Sequence, residues 1–354
     1  MTAPGFVTVT TTWRDASASA RARAHGLFGD RSALNRIGAD GLVVLHTCAR
    51  SAWWASTAEP AWVGAIVAAQ VERSVGVGPT VRTGEEALRH ALEVAIGLDS
   101  FVQGESDIGR QVHEAFAVED DRRDRTLNLL AQAVEQVRHR GRAEGFVRAN
   151  TGVGALAVEQ LREALGSTDA VVGVVGLGEI GSRVVAALKR NGWPEAVAYN
   201  RSAREGARPL AHAEPHDAWI VCTAGPSGWF VPPGLARVVI DLGVPPQVGE
   251  LPALTRRIGV DELVAGPTRS LSTEAVLAAR VAVDEGVAAL VARLAAPQNR
   301  LGRVRDVRDK FIADIDQHVV VEGLSVEQMG AVRKAARAAV RAYTHQVIRA
   351  LGEP

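Results

Sequence analysis

The sequence predicts a multidomain α/β protein: an N-terminal α+β domain, a central Rossmann-type domain and a C-terminal helical domain. Three observations predict it. The first third mixes strand-like and helix-like segments, the middle third alternates short apolar strands with helices around a glycine-rich turn, and the last third is helical. A chain of 354 residues is too long for one ordinary core. We expect domains at 1–147, 148–268 and 269–354.

Strands are predicted at 7–12 and 41–48 of the first domain, and helices at 87–98 and 108–116 from their three-to-four-residue apolar spacing. A mostly helical stretch follows from 122 to 165, with a break near 148–151. The middle domain has four short, largely apolar strands, which is typical of a parallel sheet buried on both faces. These strands are 171–176, 196–200, 218–224 and 237–243.

The C-terminal part begins with a helix whose first turn, Ser272–Glu274, carries helix-capping residues, and Pro297 ends it. Further helices are predicted around 301–317 and 325–350. One face of the first helix is apolar and consists of Val276, Val283, Val287, Leu290, Val291 and Leu294. Because this stripe and the last helix need a covering surface, we expect a homodimer.

Composition favours a soluble globular protein, with 47% hydrophobic and 23% charged residues. No apolar run reaches the roughly 18 residues of a membrane span, and the N-terminus lacks the basic and apolar regions of a secretory signal. Two cysteines are too few for a disulfide framework or a zinc ligand set. We therefore expect a cytoplasmic protein without a metal.

A glycine-rich turn follows the first strand of the middle domain and opens a helix. Gly176, Gly178 and Gly181 form a GxGxxG pattern, completed by Glu179 and Ile180. The spacing is typical of a dinucleotide pyrophosphate held at a helix N-terminus. A glycine turn without a ligand is the alternative.

The end of the second middle-domain strand indicates which nicotinamide cofactor is used. Sites for NAD usually have Asp or Glu there, to bind the ribose hydroxyls. This chain has Asn200, Arg201 and Ser202. Because no carboxylate repels a 2′-phosphate and Arg201 can pair with one, we predict NADPH.

Cys48 is the candidate nucleophile. If the chain stays extended after the strand, Cys48 and Arg50 point to the same side, and the cation lowers the pKa of the thiol. An inert buried cysteine is the alternative. Cys222, inside an apolar run, is expected to be core.

His90 is the next candidate, because it lies off the apolar stripe of its predicted helix; a core histidine is the alternative. That stripe consists of Leu88, Leu92, Ala95 and Ile96. Ser100, Glu105 and Gln111 follow in a turn–helix segment whose glycines suggest close backbone approach.

Five segments together resemble the glutamyl-tRNA reductase family, in order and spacing along nearly the whole chain. They are TCAR (47–50), the run 89–116, VVGLGEIG (174–181), YNRS (199–202) and IDLGVPPQV (240–248). The resemblance implies an N-terminal catalytic domain, a central NADPH domain and a dimerising helical domain joined by a long spinal helix. It also implies reduction of glutamyl-tRNA to glutamate-1-semialdehyde, the first committed step of tetrapyrrole (porphyrin) biosynthesis through 5-aminolevulinate.

The resemblance further implies site roles. Cys48 matches the nucleophile that forms a thioester, and His90 matches the histidine that assists it. The substrate-binding positions are Thr47, Arg50, Ser100, Glu105 and Gln111. Arg50 is expected to hold the glutamate carboxylate, and domain closure to bring the nicotinamide to the thioester. The implied partners are glutamyl-tRNA, a second copy of the chain and a downstream aminotransferase or aminomutase.

Four departures from the family pattern cluster at the substrate end. Ala49 and Ala52 replace Asn and Glu, Asp107 replaces Gln, and the His-Lys-Thr near the first strand is missing. Three alternatives therefore stay open: a paralogue acting on another aminoacyl-tRNA, a dehydrogenase of a free small molecule without a covalent step, and a non-catalytic cofactor-binding scaffold or regulator.

The net charge is zero, so RNA binding would need local basic patches. Acidic residues interleave with the first of two basic groups, so a solvated helix face is the alternative. The groups are Arg300, Arg303, Arg305 and Arg308, and then Arg333, Lys334, Arg337, Arg341 and Arg349.

Overall fold

The computed structural model describes residues 5–25, 27, 38–118, 125–148, 151–265, 271–296, 308, 312, 315 and 325–350. It confirms the predicted fold class, since an N-terminal α+β unit, a parallel doubly wound sheet and long C-terminal helices follow one another along the chain.

The N-terminal sheet is antiparallel, with the strand order β2-β3-β1-β4. Its strands are β1 (Phe6–Thr12), β2 (Ala39–His46), β3 (Arg50–Thr57) and β4 (Thr80–Thr83). The accompanying helices are α1 (Ala18–Arg23), α2 (Pro60–Val75), α3 (Gly84–Ile96), α4 (Ser106–Val118) and α5 (Arg125–Ala143).

The central strand β3 was missed by the sequence prediction, because every one of its residues is buried and no alternation of polar and apolar residues marks it. Trp53 packs with α2 on one face of the sheet, whereas Trp54 packs with α3, α4 and α5 on the other. β4, α1 and α2 were also absent from the prediction. The N-terminal sheet is thus covered on both faces.

The second sheet is parallel throughout, with the order β10-β9-β8-β5-β6-β7. Its strands are β5 (Val172–Val175), β6 (Ala196–Asn200), β7 (Arg208–Pro209), β8 (Ala218–Val221), β9 (Val238–Asp241) and β10 (Arg256–Gly259). Its helices are α6 (Val153–Leu165), α7 (Glu179–Arg190) and α8 (Val260–Ala265). The strand order reverses between β5 and β8, where dinucleotide-binding sheets form their ligand crevice.

Helix α9 (Thr273–Ala295) starts where the sequence predicts. Ser272 caps it, because its Oγ accepts the Ala275 N–H at 3.2 Å. The apolar stripe of α9 is already buried within the chain. Val283, Val287 and Leu290 pack against α3 and α5. The stripe therefore gives no support to a homodimer, since α3 and α5 cover it, and the homodimer stays a prediction.

The last helix, α10 (Val326–Ala350), carries the second basic group, and its role in RNA binding and in dimerisation stays a prediction. The helix expected around 301–317 lies almost wholly outside the described residues. Among the described helices, none combines the length and apolar character needed to cross a lipid bilayer.

Candidate active site

Cys48 lies at the tip of a tight hairpin between β2 and β3. The Thr47 N–H donates to the Arg50 carbonyl at 2.8 Å, and Thr47 Oγ1 accepts the N–H groups of Ala49 and Arg50 at 3.2 and 3.1 Å. The chain therefore reverses at these residues. The condition under which Cys48 and Arg50 would point to the same side, an extended chain, is not met, because the hydroxyl of Thr47 stabilises a turn.

A buried arginine that does not belong to the hairpin stabilises this turn. Arg21 of α1 donates from Nη2 to the Cys48 carbonyl at 2.6 Å and to Asp261 of α8 at 3.2 Å. Its side chain is fully buried. The sequence prediction did not include Arg21, because α1 is a single short amphipathic stretch without a motif.

The hairpin borders a small cavity of about 20 Å³, roughly the room of one water molecule. The residues that line it are Thr47, Cys48, Ala49, Arg50, Ser100, Glu105, Asp107, Ile108, Gln111, Val153 and Ile180. Seven of the predicted site residues thus lie around one space: Thr47, Cys48, Arg50, Ser100, Glu105, Gln111 and Ile180. Val153 and Ile180 come from the Rossmann-type part, so the glycine-rich turn closes the cavity.

Cys48 is half-buried, and its thiol is not acidic in this arrangement. Burial, reinforced by the negative charge of Glu105, raises its pKa to about 12, while the charges of Arg21 and Arg50 only partly oppose this. The charge of Arg50 does lower the pKa of the thiol, as expected, but the loss of solvent outweighs the nearby cations, so the expectation of an acidic thiol is wrong. In the arrangement seen in this structure, the Cys48 sulfur is protonated at neutral pH.

Arg50 is fully buried and is bound at one end only. Its Nη1 donates to Asp99 Oδ2 at 2.9 Å, whereas Nε and Nη2 have no hydrogen-bond partner among the described residues. These two atoms share one edge of the planar guanidinium. That edge is suited to a carboxylate held by two parallel hydrogen bonds.

Asp99 forms hydrogen bonds with three side chains. The sequence prediction missed Asp99, although it directly precedes Ser100. Its carboxylate binds Arg14 at 2.7 Å, Arg50 at 2.9 Å and His90 Nε2 at 3.3 Å. Burial alone raises the pKa of Asp99, but the hydrogen bonds from His90 and Arg14 and the charge of Arg50 outweigh it and hold the pKa below its usual range.

His90 is buried, with 3% of its surface exposed. The expectation that it lies off the buried face of its helix is wrong, because α3 packs between the sheet, α5 and α9 and is covered nearly all round. Burial is the main cause that lowers the pKa of His90. The described residues that line the Cys48 cavity do not include His90, and its Nε2 is directed to Asp99.

The glycine-rich turn has the geometry of a phosphate-binding turn. Gly176 has φ +91°, and a Cβ on Gly181 would lie 1.8 Å from the Gly176 carbonyl oxygen. A Cβ on Gly178, at the start of α7, would meet nothing within 4 Å. Two glycines thus permit the tight turn, and the third leaves its backbone open to a pyrophosphate.

The loop after β6 presents Arg201 to solvent. Its guanidinium lies 5.0 Å from the ring centre of Trp229, and its Nη2 donates to the Ala224 carbonyl at 3.4 Å. Asn200 Nδ2 donates to Ser202 Oγ at 3.2 Å, which orders the loop. These side chains could hold a ribose phosphate.

Cys222 follows β8 at this edge of the sheet and is half-buried rather than fully in the core as expected. The strand ends one residue earlier, so Cys222 packs against the glycine-rich turn. Burial, with the charge of Asp241, raises the pKa of its thiol.

Two ion pairs join α4 to α7 beside the cavity. Asp107 pairs with Arg183, and Arg110 pairs with Glu179. The charges are crossed, since each helix contributes one acid and one arginine. The pairs flank Ile180 and hold the start of α7 against α4, next to the cavity that the Cys48 hairpin borders. We call these four residues the clasp.

The family model and the curated relatives that match this chain agree with one another. The family model "Glutamyl-tRNAGlu reductase, N-terminal domain" matches residues 8–145. A glutamyl-tRNA reductase of Pyrobaculum neutrophilum is 33% identical over 314 residues, 81% of this chain and 78% of that protein. One from Pyrobaculum islandicum is 31% identical over 72% of this chain and 70% of its own length. The solved glutamyl-tRNA reductase from Methanopyrus kandleri aligns over 98% of this chain and 92% of its own, with 23% identity and a TM-score of 0.45.

Proposed function

The chain belongs to the glutamyl-tRNA reductase family, and we propose on that premise that it reduces the glutamyl ester of transfer RNA to glutamate-1-semialdehyde, using NADPH and a thioester on Cys48. The observation that carries the proposal is the cavity shared by Cys48, Arg50 and Ile180. It brings a thiol, a carboxylate-binding edge and the cofactor-type turn to one place.

The reaction needs a sulfur nucleophile. Attack by the Cys48 sulfur on the ester carbonyl exchanges an ester for a thioester, which is less stabilised by resonance and accepts hydride more readily. A serine would return only another ester. A bound nicotinamide would supply the hydride, and Gly176, Gly178 and Arg201 are the residues suited to hold its dinucleotide.

Substrate recognition is assigned to Arg50. Its free Nε and Nη2 donors are buried, so leaving them without an acceptor is costly. A glutamate side-chain carboxylate would satisfy both donors at once. Asp99 holds the opposite end of the guanidinium and thereby orients the free edge.

The departures from the family pattern do not all bear on the substrate. Ala52 is fully buried in the apolar core with Phe6 and Trp54 and is not among the described residues that line the cavity. Ala49 and Asp107 line it. Of the three replacements, Ala49 and Asp107 are therefore the two placed to change the substrate.

Substrate entry requires the clasp to open. A cavity of about 20 Å³ has no room for a glutamyl group. Ile180 and Val153 must move away from the hairpin for the ester to reach the thiol. Closure afterwards excludes water from the thioester, which protects it from hydrolysis.

The test is acylation of the protein by glutamyl-tRNA without NADPH, followed by mass spectrometry of the tryptic peptides. We expect a glutamyl adduct on Cys48, which the C48S variant loses and the matched C222S variant keeps. With NADPH added, wild-type protein and C222S should release the aldehyde.

An adduct elsewhere, or C48S activity within a few-fold of wild type, would contradict Cys48 as the nucleophile. A panel of aminoacyl-tRNAs in the same assay identifies the amino acid. Preference for a neutral amino acid over glutamate would contradict the role of Arg50.

A further inference from the structure

The chemistry requires a group that removes the thiol proton, because burial keeps Cys48 protonated. His90 is poorly placed for this task, since its Nε2 is directed to Asp99 and it is not among the described residues that line the cavity. The titratable groups that do line the cavity, besides Cys48 and Arg50, are Glu105 and Asp107.

Of these two carboxylates, Asp107 is already engaged by Arg183 in the clasp. Glu105 is more deeply buried, with 9% of its surface exposed. Its backbone is anchored on both sides, because its N–H donates to the Val102 carbonyl at 3.1 Å and it forms a bridge to Arg148. The side chain is therefore held at the cavity wall.

Gly152 leaves the space that the Glu105 carboxylate uses. A Cβ at Gly152 would lie 3.3 Å from Glu105 Oε2 and 3.0 Å from Asp107 Oδ2. Gly152 also has φ +136°, a backbone conformation that residues other than glycine rarely adopt. Because residue 152 is a glycine, the start of α6 can pack directly on the carboxylates of Glu105 and Asp107.

We propose that, within the function proposed above, Glu105 accepts the proton of the Cys48 thiol and passes it to the ribose 3′-oxygen of the leaving transfer RNA. In this step the S–H and C–O bonds break and the S–C and O–H bonds form. Glu105 ends the step unprotonated, as it began. Hydride addition then breaks the C–S bond, and the thiolate takes its proton from solvent, which accounts for the one proton consumed per turnover.

The electrostatics of the cavity support this role. Burial, opposed by the charge of Arg50, raises the pKa of Glu105 to about 7. Both protonation states are then populated near neutral pH, as an acid–base catalyst requires. The charged and titratable groups that face Glu105 are Cys48 and Arg50 of the hairpin, Asp107 of α4 and Arg183 of α7.

The experiment measures the single-turnover rate of Cys48 acylation by glutamyl-tRNA from about pH 5.5 to about pH 8.5, a range that brackets the Glu105 pKa of about 7. E105Q should acylate roughly 10²–10⁴-fold more slowly and lose the rise of rate with pH. E105D should retain that rise at a lower rate. E93Q, which removes another partly buried acid outside the cavity, should behave as wild type.

Alkylation by iodoacetamide gives a second readout. Because the charge of Glu105 raises the pKa of the thiol, E105Q should alkylate faster than wild type at alkaline pH. Faster alkylation together with slower acylation separates proton transfer from damaged packing.

E105Q acylation within threefold of wild type, with the pH dependence unchanged, would overturn the role of Glu105 alone. Wild-type protein that forms no acyl adduct would overturn the proposed function and this role together.

Discussion

Asp99 holds Arg50 by one end of its guanidinium, with Nη1 donating to Oδ2 at 2.9 Å. The opposite edge of Arg50 stays without a partner among the described residues. Asp99 also binds His90 and Arg14. A single carboxylate therefore orients the candidate recognition group and the histidine, and links both to the surface.

Replacing this carboxylate tests its positioning role. D99N removes the charge that neutralises a fully buried guanidinium. We expect a loss of roughly 1–3 kcal/mol in the free energy of unfolding and a KM for glutamyl-tRNA raised more than kcat is lowered. The matched variant R14Q breaks an exposed contact of the same carboxylate and should cost less than about 1 kcal/mol. Urea unfolding and steady-state kinetics measure both, and equal effects of D99N and R14Q would contradict the role.

The ion pair between Asp99 and Arg50 predicts a pH dependence of the free energy of unfolding. The pKa of Asp99 in the folded protein lies below its usual value, so its stabilising contribution is present above about pH 4 and is lost as the pH falls through the folded pKa. The stability difference between wild type and D99N should therefore shrink on acidification below about pH 4. A difference that stays constant down to the acid transition would contradict this.

The clasp predicts a salt-sensitive opening of the site. R183D places two carboxylates together at Asp107 and should expose Cys48, whereas the swapped double variant D107R/R183D should restore protection. Partly exposed ion pairs contribute about 1 kcal/mol or less, so we expect alkylation of Cys48 to rise about fivefold in R183D. Added salt should raise it in wild type by screening. Equal alkylation in the single and double variants would contradict the clasp.

Cofactor choice is predicted to depend on Arg201. R201A should raise the KM for NADPH by roughly tenfold to a hundredfold, the effect of one charged hydrogen bond, and leave the KM for NADH unchanged. R204A, a neighbouring substitution in the same loop, is the control and should change neither. A wild-type protein with a higher kcat/KM for NADH would show that Arg201 does not read a 2′-phosphate.

The glycine-rich turn offers a matched pair of variants. G181A forces a methyl group onto the Gly176 carbonyl and should destabilise the protein by roughly 1–3 kcal/mol. G178A meets open space, so the fold should persist while the methyl group obstructs the approach of the pyrophosphate. Thermal unfolding and NADPH titration by fluorescence distinguish the two. Full NADPH affinity in G178A would indicate that the dinucleotide does not approach there.

The parts of the fold with strong local patterns were predictable. The strands of the parallel sheet are uniformly apolar, and Ser272 marks the start of α9. The strand β3 was not predictable, because burial on both faces removes the alternation that marks a strand. Likewise Arg21 and Asp99 have no motif, and only their partners reveal their importance.

By itself, the sequence determined the order of the elements, the glycine-rich turn and the residue types that meet at the candidate site, since these depend on neighbours along the chain. Only the tertiary structure decided the raised pKa of Cys48, the hydrogen bond between His90 and Asp99 and the burial of the apolar face of α9. The physical reason is that desolvation and charge act through space. The pKa of the Cys48 thiol is raised although two arginines lie near it, because residues distant in sequence, among them Ile180, enclose the cavity that it borders.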